Sequence, residues 1–177
     1  MTTPAPRPAQ FVNVFEAADL RVVSGANLGD ALSFAAELDL DDIYELGPRA
    51  RARRLGLVME GAGPFRVGEG SEIGTPGAPL HLDCCLTLMP ATGSVAEVLI
   101  FVETDDEARV TNVYAMPLAH MAPRTGYALV RVERDTARQR FAQAACVSFT
   151  RGTRITMATG AQKPVETLQP GDMVLTR

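Results

Sequence analysis

The chain has 177 residues, 17 Lys and Arg against 21 Asp and Glu, and 46% hydrophobic residues. That length holds one ordinary domain, or one domain and a fragment of a second. The apolar content is too high for wholesale disorder, no run approaches the roughly 18 unbroken apolar residues of a membrane helix, and a net charge of −4 argues against a nucleic-acid module, whose surface is normally basic.

Residues 1–10 carry Pro4, Pro6 and Pro8 and lack the apolar core of a signal peptide, so they read as a flexible tail. With no N-terminal signal, the protein is expected to be cytoplasmic, or exported by a C-terminal signal outside these residues. From residue 11 the texture is short apolar runs broken by Gly, Pro and acidic turns, the pattern of many short strands. Asp39, Asp41 and Asp42, with Asp30 and Asp19 upstream, offer hard oxygen ligands of the calcium type. Their spacing lacks the glycine-centred calcium loop, and the run reads as a solvated turn before a strand at Ile43 and Tyr44.

The clearest strands are expected at Arg53–Met59 and at residues 80–89, 95–104, 109–116 and 127–134. The run at 95–103 is apolar through its middle and alternates at its ends, so it is expected centrally in a sheet covered on both faces. Between the first two strands, residues 61–79 hold six glycines and three prolines. No Lys-Ser or Lys-Thr follows to make a phosphate loop, and the segment reads as an irregular loop. Hairpin-length breaks at Pro90 to Gly93 and at Asp105 to Glu107 favour antiparallel neighbours. The fold class is therefore mainly β, an antiparallel β-sandwich or barrel over residues 11–134.

Cys84, Cys85 and Cys146 cannot make a paired framework, and buried or reduced thiols are expected. On an unbroken strand, His81, Asp83 and Cys85 share one face, which looks metal-like, but a fourth ligand is not visible and packing is the plainer reading. His120, between Pro117 and Pro123, has no triad partner at a suggestive spacing and reads as exposed or capping. No metal and no cofactor are expected.

A short helix and connector are expected over residues 135–147, the helix over Asp135 to Ala145 with Asp135 as N-cap and Ala137, Phe141 and Ala145 four apart. A strand then runs from Cys146 to Met157, a turn falls at Ala158 to Gly160, and a second turn at Pro170, Gly171 and Asp172 leads to a third strand, a partial β meander.

The residues of that last stretch form an ordered set: Ser148, Phe149, Thr150, Gly152 and Thr153, then Ile155, Gly160, Pro164, Val165 and Glu166, and finally Leu168, Gly171, Asp172, Val174 and Leu175. The set resembles the opening of a Hint domain, the Hedgehog/intein self-processing fold, as found in Hint-domain proteins of alphaproteobacteria. The family pattern is a nucleophile, a bulky residue, two variable positions, Gly-Thr, a strand, a turn, and a Pro-Val/Ile-Glu-x-Leu-x-x-Gly-Asp-x-Val run. The resemblance covers residues 148–177 only, read here as the N-terminal fragment of that domain.

What the resemblance implies is an acyl shift, autoprocessing of the kind that begins protein splicing. Ser148 would attack the carbonyl of Val147, with Thr150 or Thr153 as supporting hydroxyls. Cys146 is the alternative nucleophile in a register that spoils the spacing to Gly152 and Thr153. Many relatives use cysteine where Ser148 stands. The family's Thr-x-x-His follows its nucleophile, whereas His81 and His120 both precede Ser148. The 177-residue chain alone is therefore expected not to process itself, and its expected partners are the missing C-terminal part of the Hint domain or a second copy of the chain. The competing expectation is a noncatalytic β-sandwich used for binding or assembly.

Overall fold

The computed structural model describes residues 9–59, 63–147, 154–159, 161–164, 167, 168 and 173. The chain divides into two compact units, residues 1–140 and 141–177.

Among the described residues of the first unit, nine strands follow one another in sequence: β1 (Gln10–Glu16), β2 (Leu20–Ser24), β3 (Ile43–Leu46), β4 (Arg53–Met59), β5 (Phe65–Val67), β6 (Pro79–Pro90), β7 (Ala96–Thr104), β8 (Val110–Pro117) and β9 (Gly126–Glu133). Each recorded pairing is antiparallel. The order β6-β5-β4-β1-β8-β7 returns to β6, because β6 and β7 also pair, so six strands close into a barrel. β6 is long enough to carry two neighbours on one edge. Its first residues pair with β5 and its last with β9, from which β3 and β2 extend the sheet.

This arrangement gives β7 two buried faces. Leu99 and Phe101 lie on the side that their registers share with Tyr114 and Leu80, inside the barrel with Val12, Val14, Leu55, Leu57 and Val67. Val98, Ile100 and Val102 face the other way, into a core with Leu20, Tyr44, Leu46, Leu86 and Leu129. The continuous apolar run of β7 thus meets its expected covering on both sides.

The strands expected at residues 80–89, 95–104, 109–116 and 127–134 appear within a residue or so, and the one at Arg53–Met59 appears with those bounds. The loop reading of residues 61–79 needs correction: Phe65–Val67 forms β5, paired with both β4 and β6. Three residues in a Gly/Pro-rich stretch carry too little alternation to announce a strand, and the ring's need for a sixth member supplies the pairing. The tail expected over 1–10 falls mostly on residues 1–8, outside the described residues. Gln10 opposite Leu57 already belongs to β1.

Free strand edges invite pairing with other chains. Here the outer edge of β2 is occupied by its own return loop, through Val22 N to Asp30 O at 2.9 Å, Gly29 N to Val22 O at 2.8 Å and Leu32 N to Leu20 O at 2.9 Å. The β7–β8 connection is fixed by Asp105. Its Oδ1 accepts the N–H of Glu107 and of Arg109, both at 2.9 Å, and these bonds with the Arg109 guanidinium hold its carboxyl below the usual range.

The helix α1 is Ala137–Val147. It starts two residues after the expected cap, with Arg140 N bonded to Thr136 O at 2.9 Å, so Thr136 holds the N-cap position. The strand expected from Cys146 is also corrected. α1 runs through Val147, since the alanine-rich sequence has no breaker at 145–147, and among the described residues that follow, the strand β10 is Arg154–Thr156, with 148–153 outside them. β10 pairs antiparallel with β11 (Gln162–Pro164), Ile155 opposite Lys163. The third strand of the meander lies outside the described residues. No helix among the described residues is long and apolar enough to cross a membrane.

Candidate functional site

Ser148, Thr150 and Thr153, the expected nucleophile and its supporting hydroxyls, lie outside the described residues. Cys146 is in the last turn of α1, with its side chain likewise outside them. What is described of the segment is its hairpin. Met157 N bonds to Ala161 O at 2.8 Å across the turn expected at Ala158 to Gly160, and Ala158 N bonds to Met173 O at 2.8 Å. Thr167 Oγ1 donates to Pro164 O at 2.7 Å, closing the chain just after β11.

The convergence of His81, Asp83 and Cys85 is overturned by a bulge in β6. The register steps from Leu82 opposite Phe101 to Cys84 opposite Ile100, leaving Asp83 as the extra residue. Parity flips there, so His81 and Cys84 share one face while Leu82 and Cys85 share the other. Asp83 turns to a different task, accepting the N–H of Ala35 at 2.7 Å. His81 Nε2 lies 3.4 Å from Thr104 Oγ1. Both cysteines are free and buried. Burial, reinforced by Asp83, pushes the Cys84 thiol far up, and burial with Glu97 lifts Cys85 to about 11. Neither is a thiolate at neutral pH, so neither is a nucleophile there. His120 is exposed in the β8–β9 connection. Among the described residues, no three His, Cys, Asp or Glu side chains converge as metal ligands do.

Sequence reasoning missed the most buried carboxylate inside the barrel. Glu103, 1% exposed, follows Leu99 and Phe101 on the inward face of β7. Its Oε2 accepts the hydroxyl of Tyr114 and the amide of Asn112, the latter at 3.2 Å, and its Oε1 accepts the N–H of Thr75 at 3.0 Å. Burial and the neighbouring carboxylate push the Tyr114 phenol far up. Gly74 has φ +86°, and a Cβ there would stand 3.3 Å from both Glu103 Oε2 and the Tyr114 hydroxyl. The loop can therefore lie close over the barrel end only as glycine. Beside this network is a cleft of about 410 Å³ lined by Thr75, Pro79, Thr104, Asp105 and Thr111 among others. With its donors in place, Glu103 acts as an anchor for the loop at residues 74–75. The available signal was the inward alternation of 99, 101 and 103 ending on an acid.

The acidic stretch also departs from its expected form. Asp39 and Asp41 are exposed, but Asp42 is 1% exposed. Its Oδ1 accepts Ala26 N at 2.6 Å and its Oδ2 accepts Asn27 Nδ2 at 2.9 Å, while the same amide reaches Asp39 Oδ2 at 2.8 Å. Gly25, at φ +132°, is the point of closest approach: a Cβ would fall 2.0 Å from Asp42 Oδ1. Asp42 is thus the internal fastener of the β2–β3 connection, desolvated because backbone and amide N–H groups replace water.

Comparison with known proteins returns no match: no family model, no curated protein and no solved structure is similar to this chain.

Proposed function

We propose that this chain is the N-terminal portion of a Hint-domain protein whose intact form processes itself at the Val147–Ser148 bond. The observation that carries the reading is the ordered set from Ser148 to Leu175, with nucleophile, Gly-Thr, turn and Gly-Asp-x-Val in family spacing. Two features support it: residues 141–177 form their own compact unit, and β10 and β11 flank a turn where the pattern calls for one.

The reaction is an acyl shift. Ser148 Oγ bonds to the carbonyl carbon of Val147, the Val147–Ser148 C–N bond breaks, and the hydroxyl proton ends on the freed Ser148 amine. The product is an ester joining Val147 to Ser148, which water then hydrolyses. A serine hydroxyl is a weak nucleophile without a base and an oxyanion site, and the leaving amine needs a general acid. No histidine follows Ser148 in these 177 residues. The chain by itself therefore stays uncleaved, and the missing acid comes from the rest of a Hint domain.

Hydroxylamine tests the chemistry, because it captures esters and spares amides. Present at neutral pH while the full-length gene product is made and processed, it competes with water for the ester, and part of the N-terminal piece ends in a Val147 hydroxamate. Ser148→Ala abolishes that fragment and Cys146→Ala leaves it. A hydroxamate on Ala145 that Cys146→Ala removes instead moves the nucleophile to Cys146, and no hydroxamate from any form refutes the acyl shift.

A further inference from the structure

The Glu103 network joins two strands to a loop. Its Oε2 accepts from Tyr114 and Asn112, both on β8, and its Oε1 accepts the N–H of Thr75, on the segment that carries the chain from β5 to β6. That segment is tied down on either side of Thr75. Before it, Glu72 N bonds to Arg54 O and Gly56 N to Ser71 Oγ, both at 2.8 Å, and after it Gly77 N bonds to Val67 O at 2.8 Å. Between these ties, residues 73–76 form a flap whose one recorded bond to a barrel strand is that from Thr75 to Glu103. Gly74 and Gly77, at φ +86° and +84°, make its turns, and Ile73 is 7% exposed, so lifting the flap uncovers an apolar side chain.

A carboxylate only accepts, and three donors meet this one. A proton added to it becomes a further hydrogen facing the same donors. The neutral group also loses the charge assistance that makes such bonds roughly twice as strong. Tyr114 and Asn112 are fixed by the β7–β8 ladder, opposite Phe101 and Glu103. Thr75, on the flap, is the donor that can leave.

The other ionisable groups around this end do not hold the flap. Asp105 and Asp106 line the cleft beside Glu103, and the N–H and guanidinium of Arg109 keep the Asp105 carboxyl below the usual range. Glu72 accepts Arg54 N at 2.7 Å, and Glu16, which acts on Tyr114 from β1, pairs with Arg53 at 3.4 Å. The Tyr114 phenol, pushed far up, stays a donor throughout. His81 is exposed on β6 and reaches Thr104. From β4 and β5 the buried groups are Leu55, Leu57 and Val67.

We propose that Glu103 is an acid-sensitive latch. As the carboxylate it holds residues 73–76 over this end of the barrel; on taking up a proton it lets them lift and opens the cleft of about 410 Å³ towards the barrel interior.

NMR of the 177-residue chain between about pH 7 and about pH 3.5 tests the latch, following the Glu103 carboxyl carbon, the Ile73 methyls and amide exchange relative to intrinsic rates. Thr75 protection is expected to fall about tenfold, and the Ile73 methyls to shift, in step with the Glu103 carbon, while Leu55 and Leu99 stay protected. Glu103→Gln, uncharged and bearing donors of its own, loses about fivefold in Thr75 protection already at pH 7 and responds little to acid. His81→Gln keeps the parent's response. Four results would overturn the proposal: Thr75 still protected once Glu103 has titrated, parent-like Thr75 protection in Glu103→Gln, a response abolished by His81→Gln, or Leu55 and Leu99 losing protection together with Thr75.

Discussion

Glu103 shows how one charged side chain can live inside a barrel otherwise lined by Leu, Val and Phe. An unpaired buried carboxylate is prohibitive, and three donors from β8 and the 74–75 loop offset the desolvation. Glu103→Leu strands the Tyr114 hydroxyl, the Asn112 amide and the Thr75 N–H. It is expected to cost about 2–4 kcal/mol in urea denaturation, whereas Glu103→Gln, which keeps an acceptor, costs about 1 kcal/mol. Equal stability of Glu103→Leu and the parent would show that the network contributes nothing.

Tyr44 supplies a pH signature. Its phenol is raised from 10.0 to about 12 in the folded chain, so between those values the unfolded chain has lost a proton that the folded one retains. Stability is therefore whole below pH 10 and falls as pH rises towards 12, by about 1.4 kcal/mol per unit at most for this residue. Tyr114, also raised, adds to the fall. Urea midpoints measured from pH 8 to 11.5 should drop more steeply for the parent than for Tyr44→Phe. Parallel curves would exclude Tyr44 as a source.

At the scale of elements, β7 is the wall between two cores, and this predicts an unusual symmetry. Phe101→Ala and Ile100→Ala, on opposite faces, should each cost about 2–5 kcal/mol. A strand with one wet face would show that loss at one position and little at the next. The hairpin that follows offers the opposite test. Ala108 sits at φ 60°, in the region that favours glycine. Ala108→Gly is expected to raise stability by up to about 1 kcal/mol, and a loss would mean that the Asp105 turn takes another form in solution.

The strands whose own residues declare them were legible: the two-sided burial of β7 follows from its unbroken apolar middle, and β4 from its alternation. β5 was not, since three residues amid glycines become a strand only through β4 and β6. The bulge at Asp83 was equally hidden, because its cause is the N–H of Ala35, 48 positions away. That hidden residue inverted the face of Cys85 and removed an apparent metal cluster. Asp42 read as a solvated turn because nothing local reveals that Ala26 and Asn27 return to it. Glu103 and Tyr44 became visible only when register and burial brought their neighbours together.

Over the whole molecule, closure depends on the first strand. β1 pairs with β4 on one side and β8 on the other, so the ring is completed by residues distant in sequence from β8. Such non-local pairing folds slowly, on a timescale of about milliseconds to seconds. Removing residues 1–16 opens the ring and exposes the edges of β4 and β8. The shortened chain is expected to aggregate rather than give a cooperative transition.

The proposed self-processing rests on the ordered residues from Ser148 to Leu175, and the fate of one bond tests it. The most direct measurement is the intact mass of the untreated full-length gene product after purification, beside that of the 177-residue chain. Two pieces meeting between Val147 and Ser148 are expected for the former, and a single uncut species of 18.9 kDa for the latter. One unbroken mass for the full-length product, or a cut at any other bond, would contradict it.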